Sequence, residues 1–322
     1  MNYIYLFSQL PFIFAVQNTI HSIIAAIIIE WVLIYWNIKD PKWNQIFLST
    51  VILLPPLTFL LYLIIDSGHY LFNANNKYIF QSYYWIYLKI DNIFPFALFI
   101  LFIFIFMTIL FFIQEIFPIF FYYLKERKEK ISTIIPSYFP QLKEVLENIA
   151  INKNCHINVI DASDYIVYSK TGKINNIYIS KGVIENLNIE QLKGIILHEL
   201  AHIERNKNNY LLILYILRII SFFNPVILYE FRRLLQEEEK ICDKLATEQL
   251  NNKKALAEAL YILYIKNRRA QVKTSNFKEH TAYYNIRKRI KALRTKEYNH
   301  NDYYSLLAIT IMFIIVINYF II

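Results

Sequence analysis

The sequence predicts an α-helical integral membrane protein that carries a small α+β domain. Three observations point there. The chain has 322 residues, 56% hydrophobic and 17% aromatic, with only 4 Gly, a composition closer to membrane proteins than to soluble ones. Several apolar runs reach the roughly 20 residues that a helix needs to cross a bilayer. The charge is segregated: thirty of the 34 Lys and Arg and twenty of the 25 acidic residues fall between positions 125 and 302.

In chain order, residues 12–36 form the first span. It lacks a basic start and a small-residue cleavage site, so it reads as an uncleaved anchor. Its polar residues Gln17, Asn18 and His21 are expected near the outer headgroups, while His21 and Glu30 fall on opposite sides of a straight helix. A short polar loop, Asn37 to Asn44, leads to a second span at 45–65, where Pro55 and Pro56 predict a kink. Residues 66–92 are dense in aromatics (Tyr70, Phe72, Tyr78, Tyr83, Trp85), as in an interfacial belt; a sensing surface is the sharper alternative. Residues 93–124 form a third span, long enough to tilt, and Lys125 to Lys130 (KERKEK) follow at once. Positive charge favours the cytosolic side. That places everything after Lys125 inside the cell, and the N-terminus and the 66–92 loop outside.

Residues 131–188 begin the non-membrane part. Leu142, Val145, Leu146 and Ile149 make one helical face. HINVI, YIVYS and NIYIS then read as strands, with Thr171-Gly172 as a turn.

The chemistry concentrates in 189–243. His198, Glu199 and His202 form H-E-x-x-H, which places two imidazoles on one helix face where they can share a metal ion. Glu199 beside them is placed to act as a general base on water. By chance the motif is expected in about one such chain in a hundred, and its apolar surroundings (Ile195, Ile196, Leu197, Leu200) fit a buried helix. Asn188 with Gln191 predicts a capping box at its start. Two histidines leave a catalytic zinc one protein ligand short. Glu239 is the best third ligand, with Asp243 one turn further along a second helix. Residues 210–228 are apolar enough to cross a membrane, yet both ends must reach one ion. A helical hairpin that dips without crossing resolves this, with Asn224-Pro225 at its tip; Arg218 in the run agrees, since a charge at the bilayer centre is costly. Residues 253–270 predict another helix, 283–296 a basic one, and 303–322 a last span. Cys155 and Cys242 fall in the region placed in the cytosol, where thiols stay reduced. Cys242 reads as a small buried residue rather than a ligand.

HELAH, the aromatic-aromatic-Asn-Pro turn (Phe222 to Pro225), the paired Arg232 and Arg233, E-x-x-C-D (Glu239, Cys242, Asp243) and RIKAL (Arg289 to Leu293) together resemble the BlaR/MecR-type integral-membrane zinc metallopeptidases. The resemblance implies a gluzincin-type zinc protease domain: zinc (Zn2+) on His198, His202 and Glu239, Glu199 as general base, and Asp243 supporting the ligands. Arg289 is a candidate contact for the oxyanion or substrate, against a plain basic face turned to solvent or lipid. The same resemblance implies that Ile177 to Ser180 is an edge strand for binding an extended peptide by strand addition, against a plain core strand. One departure is the run Arg205 to Asn209, where family members often place an acidic residue. Sensors of this type carry an extracellular penicillin-binding domain after the final helix; no such domain is expected here, so direct β-lactam sensing by a fused domain is not expected.

The resulting expectation has three parts. Residues 1–124 form an N-terminal membrane domain with three transmembrane helices. Residues 125–302 form a cytosolic protease domain with the hairpin near 210–228. Residues 303–322 form a C-terminal transmembrane helix. The expected activity is that of a multi-pass cell-membrane endopeptidase cutting a protein or peptide substrate at the cytosolic face, for example a cytosolic transcriptional repressor, with the lipid bilayer as its other partner. Nucleic acid is not expected, for want of any recognition motif. An HtpX-type quality-control protease is the nearest rival, set back by E-x-x-C-D and the short step from His202 to Glu239. A non-catalytic transducer is the next, set back by the intact Glu199, and a transporter the last, set back by the missing internal repeat.

Overall fold

The computed structural model describes residues 3–65, 133–134, 136–149, 154–205, 209–250, 252–270, 286–293 and 302–320, with isolated positions between 89 and 117. Two compact units emerge. The first comprises Met1–Lys128, Leu212–Leu235 and Asn299–Ile322; the second comprises Glu129–Leu211 and Gln236–Tyr298. The expected third span and the aromatic 66–92 loop lie outside the described residues, save for isolated positions, and KERKEK lies wholly outside them.

In the first unit, α1 (Tyr3–Tyr35) and α2 (Pro41–Ile65) contain stretches, Phe14–Tyr35 and Pro41–Leu61, that are long and apolar enough to cross a membrane. The connection between them is tighter than the expected 37–44 loop. Asn37 takes a left-handed φ of 48°, which asparagine tolerates. The amide of Ile38 then reaches back to the Leu33 carbonyl at 3.0 Å and that of Asn37 to Ile34 at 3.1 Å, closing a Schellman end. Asp40 accepts from the Lys42 amide at 2.9 Å with Pro41 at the first helical position, so α2 begins at 41 rather than 45. The helix continues through Pro55 and Pro56. Lys89–Ile90 (β1) and Phe94–Pro95 (β2) form a short antiparallel pair.

The polar residues of α1 depart most from expectation. Gln17, Asn18, His21 and Ser22 are buried within the protein. His21 Nδ1 lies 3.3 Å from Thr58 Oγ1 of α2. Asn18 and Ser22 receive the Asn224 amide at 2.8 Å each, and Asn18 donates to Ser221 at 3.2 Å. Asn224 closes the tip of a helical hairpin. Its arms are α6 (Tyr210–Ile220) and the start of α7 (Pro225–Glu248), numbered by their place after the helices of the second unit given below. Across the hairpin, the Tyr215 and Phe231 rings lie 6.1 Å apart and Arg218 stacks over both. With 11 residues, α6 is about 16 Å long, half of the roughly 30 Å hydrocarbon thickness. Glu30 pairs with Arg233 at 2.8 Å. The last helix, α10 (Tyr304–Tyr319), starts against Trp43 of α2 through Tyr303 and Tyr304.

The second unit is α+β. A short helix, α3 (Pro140–Glu147), buries Leu142 and Val145 in a core shared with a four-stranded sheet. The strands are β3 (Thr133–Ile134), β4 (Cys155–Ile160), β5 (Val167–Lys170) and β6 (Asn175–Ser180), in spatial order β3-β4-β6-β5. β6 pairs in parallel with β4 and antiparallel with β5. Ile177–Ser180 is therefore interior, not an edge; the outer strand on that side is β5. The sequence offers three similar β-runs, and the crossover that inserts the last between the other two leaves no local mark. Next comes α4 (Lys181–Asn186). A Cβ on Gly182 would meet the Ser163 carbonyl oxygen at 2.1 Å, so backbone packing there admits only glycine.

α5 (Ile189–Arg205) starts with the predicted reciprocal box: Asn188 Oδ1 accepts from the Gln191 amide at 2.9 Å, and Gln191 Oε1 from the Asn188 amide at 3.1 Å. Gly194 lets it approach α8 (Lys253–Ala270), where a Cβ would lie 3.4 Å from Leu256 Cα. The core joins Leu192, Ile196, Ile177, Ile179, Leu256 and Ala259. A helix over 286–293, α9, completes the described part of this unit.

Candidate metal centre

Three helices of the second unit deliver the predicted residues to one place. α5 presents His198 and His202, one turn apart, with Nε2 atoms 3.1 Å from each other. α7 presents Glu239, whose Oε2 is 3.5 Å from His198 Nε2 and whose Oε1 is 3.4 Å from His202 Nε2. These three sides match the edge of a tetrahedron built on zinc–nitrogen and zinc–oxygen bonds near 2.0–2.1 Å, about 3.3 Å. The donor set of two imidazoles and a carboxylate therefore fits one zinc ion with an open position.

The support around it is charged and buried. Asp243, one turn after Glu239, is 2% exposed and lies 3.0 Å from His198 Nδ1, the ring nitrogen turned away from the cluster. This is the carboxylate–histidine arrangement that orients metal ligands. Arg289 of α9 grips Asp243 with two nitrogens, Nε at 2.8 Å and Nη2 at 2.7 Å. Its Nη1 meets Glu239 at 2.9 Å, and Nη2 also comes within 3.4 Å of His198 Nε2. Glu199 follows His198 on α5 and is half-buried, close enough for its charge to favour the protonated form of His202.

Burial works to lower the His198 pKa, but the hydrogen-bonding carboxylates of Asp243 and Glu239 outweigh it and hold the value at about 9. His202 is lowered, first by burial and then by the charge of His198. Burial would raise Glu239, but His198 and Arg289 bring it down to about 2. Asp243 stays well below the ordinary carboxylate range because the Arg289 guanidinium overrides its burial.

Two features were not foreseen. Arg205, in the run that departs from the family pattern, forms a bidentate pair with Glu238 of α7, 2.6 Å at both contacts. The charge missing from one helix is supplied by the other. Cys242 is fully buried, as expected, but its Sγ lies 3.4 Å from His202 Nδ1. His202, Glu238 and Cys242 thus form a second group with metal-binding chemistry, in which the Glu238 oxygens are already held by Arg205. The signal for Cys242 was its position three residues after Glu239, nearly a full turn.

Comparison with known proteins identifies the family. The BlaR1 peptidase M56 family model matches residues 87–293. A stretch of 87 residues is 37% identical to a protein described as "Protease HtpX homolog" from Bacteroides fragilis (strain YCH46), over 26% of this chain and 27% of that protein. The chain thus matches about a quarter of the length of that curated relative. The family match takes in α5, the Glu239 turn and Arg289, and covers more than half of the sequence. The chain belongs to the BlaR1 peptidase M56 family.

Proposed function

We propose that the protein is a membrane-bound zinc endopeptidase that cuts a protein substrate at the cytosolic face, in regulated proteolysis such as removal of a transcriptional repressor. The observation that carries the reading is the convergence of His198 Nε2, His202 Nε2 and the Glu239 carboxylate within ligand distance of one point. Zinc held there would supply Lewis acidity, activating water and polarising the scissile carbonyl. Glu199 takes the proton from the attacking water and returns it to the leaving amine. Asp243 holds the His198 ring, and Arg289 holds Asp243 while keeping positive charge beside the ligand atoms, where a substrate carbonyl oxygen would become anionic. The substrate lies as an added strand along β5, the outer strand, against which α5 packs.

In this reading α1, α2, the 93–124 segment and the C-terminal segment cross the membrane, with the N-terminus and the 66–92 loop outside. The 210–228 hairpin dips into the cytosolic leaflet and the basic second unit faces anionic headgroups. The local match to an HtpX homologue favours one alternative, a quality-control protease with the same chemistry and broader substrates.

The test uses the full chain in detergent: zinc by elemental analysis and cleavage of a fluorogenic casein substrate, for wild type and Glu199→Gln. The expected result is about one zinc per chain in both, with cleavage reduced about 10²–10⁴-fold in the variant. A variant that cuts at the wild-type rate, or a wild type that binds no zinc, sinks the proposal; the latter outcome leaves a non-catalytic transducer.

A further inference from the structure

We infer that Cys242 is the positioning residue for His202, so that the single turn from Glu239 to Asp243 supplies one metal ligand and backs both histidines. The inference rests on the zinc reading above and goes beyond it, to how the second imidazole is held. His202 turns Nε2 toward His198 and Glu239, at 3.1 and 3.4 Å. A neutral imidazole that ligates through Nε2 carries its proton on Nδ1. That N–H is partly buried and needs an acceptor, since leaving a buried donor unpaired destabilises the fold.

Sγ of Cys242 lies 3.4 Å from Nδ1, the reach of an N–H···S hydrogen bond, in a side chain with no solvent exposure. Glu238, the other acceptor of that group, is drawn to Arg205 by two 2.6 Å bonds, whereas the thiol sits within hydrogen-bond reach of Nδ1. The geometry of the pair of backing residues supports the assignment. The two imidazole planes stand at 88°, so their Nδ1 atoms face different directions. Successive residues on a helix are turned by about 100°. Adjacent side chains at 242 and 243 are therefore the natural way for one helix to reach both: Asp243 lies 3.0 Å from Nδ1 of His198, and Cys242 takes Nδ1 of His202. The backing is unequal. His198 leans on a carboxylate and His202 on a neutral thiol, which makes His202 the weaker electron donor and leaves one negative charge fewer behind the site.

The experiment measures zinc affinity of the full chain in detergent by chelator competition, for wild type, Cys242→Ala and Cys242→Ser. Alanine and serine lose the same sulfur bulk, but only the hydroxyl can accept the Nδ1 proton. Alanine is expected to weaken zinc binding about 10–100-fold, with serine recovering most of the loss. The cobalt-loaded wild type is expected to show no sulfur-to-cobalt charge-transfer band, a readout that needs no variant if one fails to fold. Equal weakening by both variants would make the residue mere packing. No weakening by either, or a sulfur-to-cobalt band, would also overturn the inference. Wild type that binds no zinc would sink the zinc reading and this inference with it; zinc-binding wild type with unaffected variants would sink the inference alone.

Discussion

α7 belongs to both units, and its two halves meet opposite surroundings. Around its first half, apolar side chains face outward: Tyr229 is 61% exposed and Ile213, across the hairpin, 54%. Near the hairpin tip the buried contacts are neutral, amide to amide and amide to hydroxyl, through Asn224, Asn18 and Ser22, while further along the same half Arg233 pairs with Glu30 and Glu230. Around its second half the core is apolar and the buried polar groups are ions, with Asp243 and Arg289 at the centre. Elsewhere in the first unit, Ile27, Ile34, Ile309 and Met312 also face outward. An apolar outside with a polar seam inside is the arrangement for a body bathed in lipid, where polar groups must find partners within the protein. A buried ion cluster makes sense where it can hold a metal.

The contrast can be broken by asking what each kind of contact is worth. Asp243→Ala has the largest expected effect. It leaves Arg289 buried beside an empty partner position, at a cost of about 3–5 kcal/mol, read by urea denaturation of the metal-stripped chain in detergent. Asn224→Ala removes the cap of α7, where its Oδ1 accepts from Val226 at 3.0 Å, together with the bonds to Asn18 and Ser22. It should cost about 1–2 kcal/mol by the same assay. Equal losses in the two variants would erase the distinction between ionic and neutral seams.

The smallest effect is one of pH, and it sharpens the comparison, because amides and hydroxyls do not titrate near neutrality while the site does. His198 is raised to about 9, so in the metal-free protein its contribution is complete below its ordinary 6.5 and is lost as pH climbs through about 9. Glu239 is lowered to about 2, so its contribution is complete above its ordinary 4.5 and is lost as pH falls through about 2. His202 is lowered, so its contribution is complete above its ordinary 6.5 and is lost as pH falls. With His198 losing its share above that same pH, metal-free stability should peak near pH 6.5. Zinc uptake at neutral pH should release about one proton, from His198. Calorimetry in two buffers of different ionisation enthalpy measures that proton directly; zero release would contradict the raised His198 value.

What the sequence showed, and what it hid, follows the range of the interactions. The Asn188–Gln191 box, the α8 boundaries and the helical spacing of Glu239 and Asp243 are local patterns, legible within a few residues. Asn18 was assigned to a headgroup surface because its partner, Asn224, is 206 residues away. The edge strand was misplaced because strand order depends on a crossover, not on residue alternation. Arg205 stood out as a departure only until Glu238 came into view on another helix. Arg289 was singled out from RIKAL, but its grip on Asp243 spans 46 residues and three-dimensional packing alone reveals it.

The strand order also sets a sequence of events in folding. β5 and β6 are joined by a short turn, in which the Gly172 amide binds Asn175 Oδ1 at 3.2 Å, and such hairpins close in about 1–10 μs. The parallel contact of β4 with β6 pairs Cys155 with Asn175 across that completed hairpin; it must close a longer loop and waits for β6 to exist as a template. α5 follows β6 and α4 directly, and Glu239 and Arg289 come later still in the chain. His198 and Glu239 are 41 residues apart, so gathering the metal ligands closes a longer loop than the β5–β6 turn does. A mutation that delays β4 docking should show itself as late acquisition of zinc rather than as a weaker final affinity.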